Sequence, residues 1–210
     1  MSEPDWVVWA RRLAAIAQNG VAFSTNAYDT SRYLQVREVA AAMLAAGSGA
    51  APEAILPLLA ADDGYITAKV DVRGVCFRDG EPARVLLVRE RDDGLWTMPG
   101  GWADPTDLPS VAVEREVAEE AGYRVRAARL LACWDRTLQE GAQPHPWRVY
   151  KLFFGCDVLG ETPRRHDETS DVAWFPVDDL PPLSTGRVTV RQVQRLAELH
   201  RDPTLPADFH

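Results

Sequence analysis

The sequence predicts an α/β protein in which a small helical N-terminal region precedes a mixed α/β or α+β sandwich. Two observations support this prediction. Residues 1–63 show helical apolar patterns, whereas from residue 64 onward β-branched runs are separated by turns and by two helical patterns. We therefore divide the chain into a helical region, 1–63, and a second domain, 64–210.

The helical region is predicted to contain two helices and one shorter helix. The first covers residues 5–18, with Trp6, Trp9, Leu13 and Ile16 on one stripe, and Gly20 is its expected stop. The second covers residues 30–46, with Asp29 or Thr30 as its cap and Gly47 at its end. A short helix begins at Pro52, since proline suits a first helical turn.

The second domain is predicted to alternate strands with two helices. One helix runs from Pro109, which suits a first turn, to Ala121, and Gly122 suits the left-handed residue beyond it. A turn at Asp79-Gly80 joins the first two strands. The predicted strands are YITAKVDVRGVCF, VLLVRER, ARLLACWD, WRVYKLFFGCDV and VAWFPV, and the final helix is TVRQVQRLAELH.

Composition limits the class of function. Hydrophobic residues make up 46% and charged residues 26% of the 210 positions, which permits a packed core. The net charge of −8 argues against a protein that binds duplex DNA, but a small anionic substrate is compatible if arginines and a metal reverse the local sign. Three cysteines without a CxxC pair indicate free thiols in a reducing cytosol. The N-terminus is not a signal peptide and no run reaches 18 apolar residues, so we expect a cytoplasmic protein without a membrane span.

A cluster of three glutamates is the main candidate for chemistry. In VEREVAEEAGY, Glu116, Glu119 and Glu120 are spaced i, i+3, i+4, which puts them within an arc of about 100° on one helical face. Like charges at this spacing repel by a few tenths of a kcal/mol per pair. A glutamate run is usually only a solvated face. If the neighbouring apolar stripe packs on a sheet, however, the carboxylates need a counter-charge, and oxygen ligands select Mg²⁺ or Mn²⁺.

The loop before this helix adds groups that suit an ion or a phosphate. Glycines in PGG, residues 99–101, let the backbone approach closely, and a free carbonyl can ligate a metal. Arg115 precedes the first glutamate, and its fork of donors is suited to hold a carboxylate in place.

These residues together resemble the Nudix hydrolase signature, G-x5-E-x7-R-E-U-x-E-E-x-G-U, where U is aliphatic. The matching positions are Gly101, Arg115, Glu116, Val117, Glu119, Glu120 and Gly122. The chain departs from the signature at Asp107, where the family has Glu, and at Tyr123, where an aliphatic residue is usual. The shorter acid puts metal affinity or rate in question, although it still has the reach to contact Arg115.

The resemblance implies a Nudix α/β/α sandwich with a mixed sheet and a metal-dependent hydrolase. It implies that Glu116, Glu119 and Glu120 are metal ligands, with the Gly100 carbonyl as an additional one, and that Arg115 orients them. The family often adds a carboxylate from a later loop as a ligand or base. Glu168 in HDETSD is our candidate for this role, and Asp171 is second.

The resemblance also covers most of the chain, from about Trp6 to Leu199, and points to one Nudix subgroup. It rests on WARRLAAIAQNGVAFSTNAYDTSRYLQVREVAAAML, KVDVRGVCF, DGLWTMPGGWAD, WRVYKLFFGCDV and LPPLSTGR. The subgroup implies a homodimer that hydrolyses CDP-choline or ADP-ribose. Hydrolysis of a nucleoside triphosphate such as dCTP, or of capped or terminal RNA, stays open. So do a non-catalytic Nudix-fold nucleotide sensor and a protein-interaction module built on the N-terminal helices.

Five residues are candidates for substrate contact. Arg73, Arg89 and Arg136 lie on or after strands that lead toward the expected site, and each is equally compatible with an ordinary ion pair. Trp102 flanks the glycine loop and His145 lies in a loop between strands.

Overall fold

The computed structural model divides the chain into two compact units. One unit comprises Met1–Ala68 with Gln143–Arg148, and the other comprises Lys69–Ala142 with Val149–His210. The structure describes residues 4–61, 64–78, 80, 83–104, 106–140, 145–165 and 168–210. The predicted boundary at 63/64 falls at residues 62–63, outside the described residues, and stays a prediction.

The N-terminal unit is helical, but its helices are longer than predicted. They are α1 (Asp5–Phe23), α2 (Ala27–Ser48) and α3 (Pro52–Ala60). The predicted stop at Gly20 is wrong, because α1 continues through it and Gly20 packs directly against the Tyr33 ring. Gly47 does not end α2 either, because it packs against Trp6, where an added Cβ would lie 2.5 Å from the indole. Both glycines therefore permit close helix packing instead of helix termination.

The cap of α2 and its end also differ from the prediction. The side chain of Asn26, and not Asp29 or Thr30, accepts a hydrogen bond from the Tyr28 amide at 2.8 Å. The helix ends at Gly49, which has a φ of 74°.

Small residues form the core of this unit, in contrast to the predicted tryptophan stripe. Trp6 and Leu13 pack against the core, but Trp9 and Ile16 are 57% and 49% exposed. The core residues are Ala10, Ala14, Ala40, Ala41, Leu44 and Leu59. Alanines permit close helix approach, and of the predicted stripe only Trp9 and Ile16 are left on the surface.

The second unit contains two sheets and two longer helices. Its elements are β1 (Lys69–Val75), β2 (Phe77–Arg78), β3 (Arg84–Glu90), β4 (Trp96–Thr97), α4 (Pro109–Glu116), β5 (Tyr123–Asp135), β6 (Val149–Glu161), β7 (Thr169–Pro176), α5 (Val190–Arg201) and β8 (Asp208–Phe209). A π-helical turn, Val117–Ala121, follows α4, and a 3-10 turn, Arg136–Leu138, follows β5. The first strand begins at Lys69 and not at Tyr65, and the predicted turn at Asp79-Gly80 includes residues 79 and 81–82, which lie outside the described residues.

The sheet that supports the site is mixed, as predicted. Its order is β1-β6-β5-β8, with β1 parallel to β6 and β5 antiparallel to β6. The other sheet has the order β2-β3-β4, and β7 pairs antiparallel with β3. Apolar residues of α4 and the π-helical turn share one core cluster with residues of β1 and β3, so this helix is held against the sheets. Within the described ranges, no helix combines the length and hydropathy that crossing a bilayer requires.

Candidate active site

The glutamate helix packs against a glycine of β1. Gly74 has no side chain, and the space a Cβ would take is filled by Val117, with Val113 nearby. Both valines are fully buried. The helix therefore packs close to β1, and its acidic side chains lie at the edge of this contact. The predicted α-helix to Ala121 changes to a π-helical turn at Val117, and Gly122 follows with the predicted left-handed φ of 71°.

The glycine loop runs alongside β1 and meets the helix. The amides of Val72 and Gly74 each donate at 2.8 Å, to the carbonyls of Gly101 and Pro99. These bonds flank Gly100, whose φ is 145° and whose added Cβ would overlap the Val72 carbonyl, so glycine is required there. The Gly100 amide donates at 2.8 Å to Oε2 of Glu120. The loop and the helix are therefore joined at the position where we predicted a metal.

A pocket of about 370 Å³ contains most of the predicted site residues. Its walls come from the glycine loop, the acidic helix and the segment that leads into β7. The described residues that line it are Gly101, Trp102, Asp104, Arg115, Glu116, Glu119, Glu120, Arg165, Glu168 and Thr169. The three signature glutamates, Arg115, Trp102 and Glu168 are thus brought together, although they come from three segments of the chain.

Arg115 lies among the carboxylates, as the predicted orienting role requires. Its guanidinium is 2.8 Å from Glu116 Oε1, 3.0 Å from Asp107 Oδ2 and 3.7 Å from Glu119 Oε2. The hydrogen bond that Arg115 donates to Asp107 is the main cause of the raised pKa of Arg115. The aspartate that replaces the signature glutamate therefore reaches the arginine directly.

Burial makes two carboxylates of this pocket, those of Glu116 and Glu120, costly to ionise. It raises the pKa of Glu120 to about 8, although the Gly100 amide and Arg73 act in the opposite direction. Burial also raises the pKa of Glu116, against the effect of Arg115 and together with the repulsion of Glu119. A cation placed between these side chains would reverse both effects, because it favours the charged forms.

The donor set fits a hard divalent cation, although the side chains are not arranged as a closed metal shell. The lining acids are all carboxylates, which are the ligands that Mg²⁺ and Mn²⁺ prefer. Among the described residues, no three His, Cys, Asp or Glu side chains already converge on a point that could hold a metal. Two of the glutamates are instead engaged by arginines, Glu116 by Arg115 and Glu119 by Arg165. To ligate an ion, Glu119 must turn from Arg165, whereas Glu116 can keep Oε1 on Arg115 and present Oε2.

The two candidates for a later carboxylate are separated by the structure. Glu168 lines the pocket, and its charge contributes to the raised pKa of Glu116. Asp171 lies on β7 and accepts a hydrogen bond from the Val172 amide at 2.9 Å. The pocket walls thus include our first candidate, whereas Asp171 faces its own strand.

Three predicted substrate contacts are placed elsewhere within the second unit. Arg73 is only 5% exposed and forms a two-pronged pair with Asp71, with nitrogen to oxygen distances of 2.7 and 2.8 Å. This is the ion-pair alternative for Arg73, and a contact with substrate stays a prediction. Arg89 donates at 2.7 Å to the Gly94 carbonyl in its own hairpin, and Arg136 lies in the 3-10 turn beyond β5, close enough to influence Asp71 and Lys151.

His145 belongs to the N-terminal unit and not to the unit that contains the pocket. Its carbonyl accepts a hydrogen bond from Nε of Arg11 at 2.7 Å. Its ring packs against Trp147, with centroids 5.4 Å apart. Within its own unit, His145 is therefore part of the helical region's packing.

Sequence reasoning missed three residues of the pocket wall. Arg165 belongs to the charged run ETPRRHDETSD, from which only Glu168 and Asp171 were selected, and the run was the available signal. Asp104 lies 3.7 Å from Arg115 and was visible only as an acid after the glycine loop. Thr169 donates at 3.1 Å to the Glu120 carbonyl, and no local pattern marked it.

Comparisons with known proteins agree with this architecture. Residues 68–196 match the family described as NUDIX domain, and residues 4–59 match the family described as UDP-X-like, N-terminal oligomerisation domain. YjhB of Bacillus subtilis (strain 168), named as a candidate ADP-ribose pyrophosphatase, is 39% identical over 201 residues, which cover 96% of this chain and 95% of that protein.

Two solved structures are similar as well. The crystal structure of an ADP-ribose pyrophosphatase from Streptococcus suis 89-1591 is 36% identical with a TM-score of 0.61, and the match covers 69% of this chain and all of that one. The crystal structure of a UDP-X diphosphatase is 27% identical with a TM-score of 0.63, and the match covers 100% of both chains. The signature, the pocket built around it and these full-length similarities lead to one conclusion: the chain belongs to the Nudix family and is a Nudix hydrolase with an N-terminal oligomerisation domain.

Proposed function

We propose that this Nudix hydrolase cleaves the diphosphate of a nucleoside diphosphate linked to a second moiety, with ADP-ribose or CDP-choline as the leading substrates. The observation behind this proposal is the pocket, whose lining includes Glu116, Glu119, Glu120 and Glu168 together with Arg115. The relatives named for ADP-ribose and for UDP-X support the same class of substrate.

The signature glutamates are proposed to hold the cation. Hydrolases of the Nudix family generally use divalent metals, and we propose Mg²⁺, with Mn²⁺ as an alternative. Glu116, Glu119 and Glu120 would be the side-chain ligands, and the Gly100 carbonyl would be an additional one, since Gly100 lies next to Glu120. When bound, the cation neutralises phosphate charge and lowers the pKa of a water molecule.

The other residues of the pocket position and assist. Arg115 holds Asp107 and Glu116 in place through hydrogen bonds of 3.0 and 2.8 Å. Glu168 is proposed to accept the proton of the attacking water, because it lines the same pocket without an arginine fixed to it in the described hydrogen bonds and ion pairs. Trp102 is 50% exposed and is proposed to pack against a ring of the substrate.

We propose the oligomeric state from the helical region and the cellular location from the free thiols. The N-terminal match to an oligomerisation domain supports a homo-oligomer, and we propose a homodimer. Cys76, Cys133 and Cys156 are free thiols, which supports the proposed cytoplasmic location.

A nucleotide panel tests the proposed reaction. The purified protein is incubated with Mg²⁺ or Mn²⁺ and with ADP-ribose, CDP-choline, a UDP-sugar, dCTP or NAD-capped RNA, and the products are identified by mass. Reaction in ¹⁸O-labelled water shows which phosphorus is attacked, because the label enters that product. We expect two monophosphates from a diphosphate-linked substrate.

Other outcomes of the panel would contradict the proposal. Release of pyrophosphate from dCTP alone would replace it with nucleoside triphosphate hydrolysis. Tight binding of one nucleotide without turnover of any would replace it with a ligand sensor.

A further inference from the structure

Arg165 is a pocket residue to which the proposed reaction has so far assigned no role. Its Nη1 lies 3.1 Å from Oε1 of Glu119, and its side chain is 69% exposed. An ion pair this exposed contributes little to stability, because water screens it. A divalent cation competes readily for Glu119, because its charge is twice that of the guanidinium.

The backbone keeps Arg165 beside the pocket even if its ion pair breaks. The Arg165 amide donates at 2.8 Å to the Glu119 carbonyl, and the Thr162 amide donates at 2.9 Å to the Gly122 carbonyl. These bonds fix the segment to the end of the acidic helix. The guanidinium can therefore change partners while the backbone of Arg165 stays in place.

The second arginine of the described pocket wall is unsuited to bind an anion. Arg115 lies within 3.7 Å of carboxylate oxygens of Asp104, Asp107, Glu116 and Glu119. The positive charge of Arg115 is therefore already neutralised by these carboxylates. Arg165, in contrast, forms an ion pair with one carboxylate, that of Glu119. The proposed metal requires the same carboxylate.

We propose that Arg165 is a substrate-binding residue that exchanges partners: once Glu119 turns to ligate the metal, the guanidinium binds a phosphate oxygen of the substrate. A guanidinium fork matches a phosphate group with two parallel hydrogen bonds. This inference depends on the proposed function for the identity of its anion. It also predicts that removing the Arg165 charge has different effects on two affinities. The affinity for the metal should not fall, because Arg165 competes with the metal for Glu119, whereas the affinity for the substrate should fall.

The test measures binding and does not require turnover. Arg165→Gln is compared with wild type for Mn²⁺ alone, by electron paramagnetic resonance, and for α,β-methylene ADP-ribose with Mn²⁺ present, by calorimetry. We expect Mn²⁺ affinity to be equal or higher and the affinity for the analogue to fall about tenfold, as for loss of a charge-assisted hydrogen bond. Arg165→Lys should recover part of the loss.

Arg126→Gln is the matched control. Arg126 is also 69% exposed and also pairs with one carboxylate, that of Asp157 at 2.6 Å, but it lies outside the described pocket wall. Equal affinity of the two glutamine variants for the analogue would overturn the inference. So would weaker Mn²⁺ binding by Arg165→Gln, because Arg165 would then be orienting Glu119, and so would an absence of analogue binding by the wild type.

The outcomes separate this inference from the proposed function. If wild type cleaves ADP-ribose and Arg165→Gln keeps the wild-type KM, the inference fails and the function stands. If wild type cleaves no nucleotide but binds the analogue through Arg165, the function fails and the inference stands.

Discussion

Two arginines of this protein each hold carboxylates, one in the pocket and one in the core of the same unit. Arg115 is 35% exposed and shares its pocket with Asp104, Glu116, Glu119, Glu120 and Glu168, so acids outnumber cations there. Arg73 is buried with Asp71, and Lys151 lies nearby and is 2% exposed. The pocket has surplus negative charge with access to solvent, whereas Arg73 and Asp71 form a one-to-one ion pair in the core without such access. Surplus charge and access indicate a binding site; the ion pair alone does not.

The strongest effect on folding is expected from breaking the core pair. Arg73→Met leaves Asp71 buried without its partner, which should lower the free energy of unfolding by about 3–5 kcal/mol. Denaturant titration measures this change. The double variant Arg73→Met with Asp71→Leu should lose less, because no charge is left unpaired. Equal losses in the single and double variants would show that packing, and not the pair, dominates.

The strongest effect on activity is expected from the pocket. Glu119→Gln and Glu120→Gln each remove a proposed metal ligand, and kcat should fall by about 10²–10³-fold, as for loss of one group that stabilises developing charge. Circular dichroism should show that both variants are folded. Glu198→Gln, an exposed acid paired with Arg195 on α5, is the control. Normal turnover in either variant would remove that residue from the proposed metal shell.

A smaller effect is expected on the pH dependence of the free energy of unfolding, through Lys151 near the core pair. Burial lowers the pKa of Lys151 to about 7, despite Asp71, and Arg73, Arg136 and Arg187 act in the same direction as burial. The folded state therefore binds the Lys151 proton less tightly than the unfolded state, whose pKa is near the ordinary value of 10.5. Lys151 then disfavours folding at pH 7, and this cost disappears as the pH rises toward 10.

The comparison of wild type with Lys151→Met isolates this titration. The free energy of unfolding of wild type should increase relative to that of the variant between pH 7 and pH 10. Thermal or denaturant unfolding at several pH values gives the difference. A difference that does not change with pH would mean that Lys151 keeps an ordinary pKa.

The smallest effect is expected at the position where the chain departs from the family signature. Asp107 already contacts Arg115 at 3.0 Å. Asp107→Glu should therefore leave kcat/KM unchanged or slightly increased, by no more than about threefold, which corresponds to about 0.6 kcal/mol. Steady-state kinetics on the best substrate of the panel measure it. A large loss would show that the pocket is built around the shorter acid.

The acidic site could be predicted from sequence because its residues are close together in the chain. Arg115, Glu116, Glu119 and Glu120 lie on one helix, where spacing alone determines which side chains share a face. Val113 and Val117 predicted the buried side of that helix, and both are fully buried. The change to a π-helical turn at Val117 was not predicted; Val117 packs against Gly74 of β1, a contact that local spacing does not show.

The arginine contacts could not be predicted in the same way. Arg73, Arg89 and Arg136 were chosen because they lie on or after strands. The partners of Arg73 and Arg89 are close in sequence, but only the fold shows that Arg73 is buried with its partner. Arg165 and Thr169 reach the pocket from a segment more than forty residues after the acidic helix. Thr169, for example, donates a hydrogen bond to the Glu120 carbonyl. Glycines were misread for a related reason, because Gly20 and Gly47 look like helix stops until Tyr33 and Trp6 are seen against them.

The sequence alone determined the family, the mixed α/β architecture and the acidic face, because local spacing and a contiguous motif encode them. Tertiary structure decided which cations face the pocket, which are neutralised in the core, and which glycines serve packing. Those outcomes depend on groups brought together from distant parts of the chain, and on how much water each group loses when they meet.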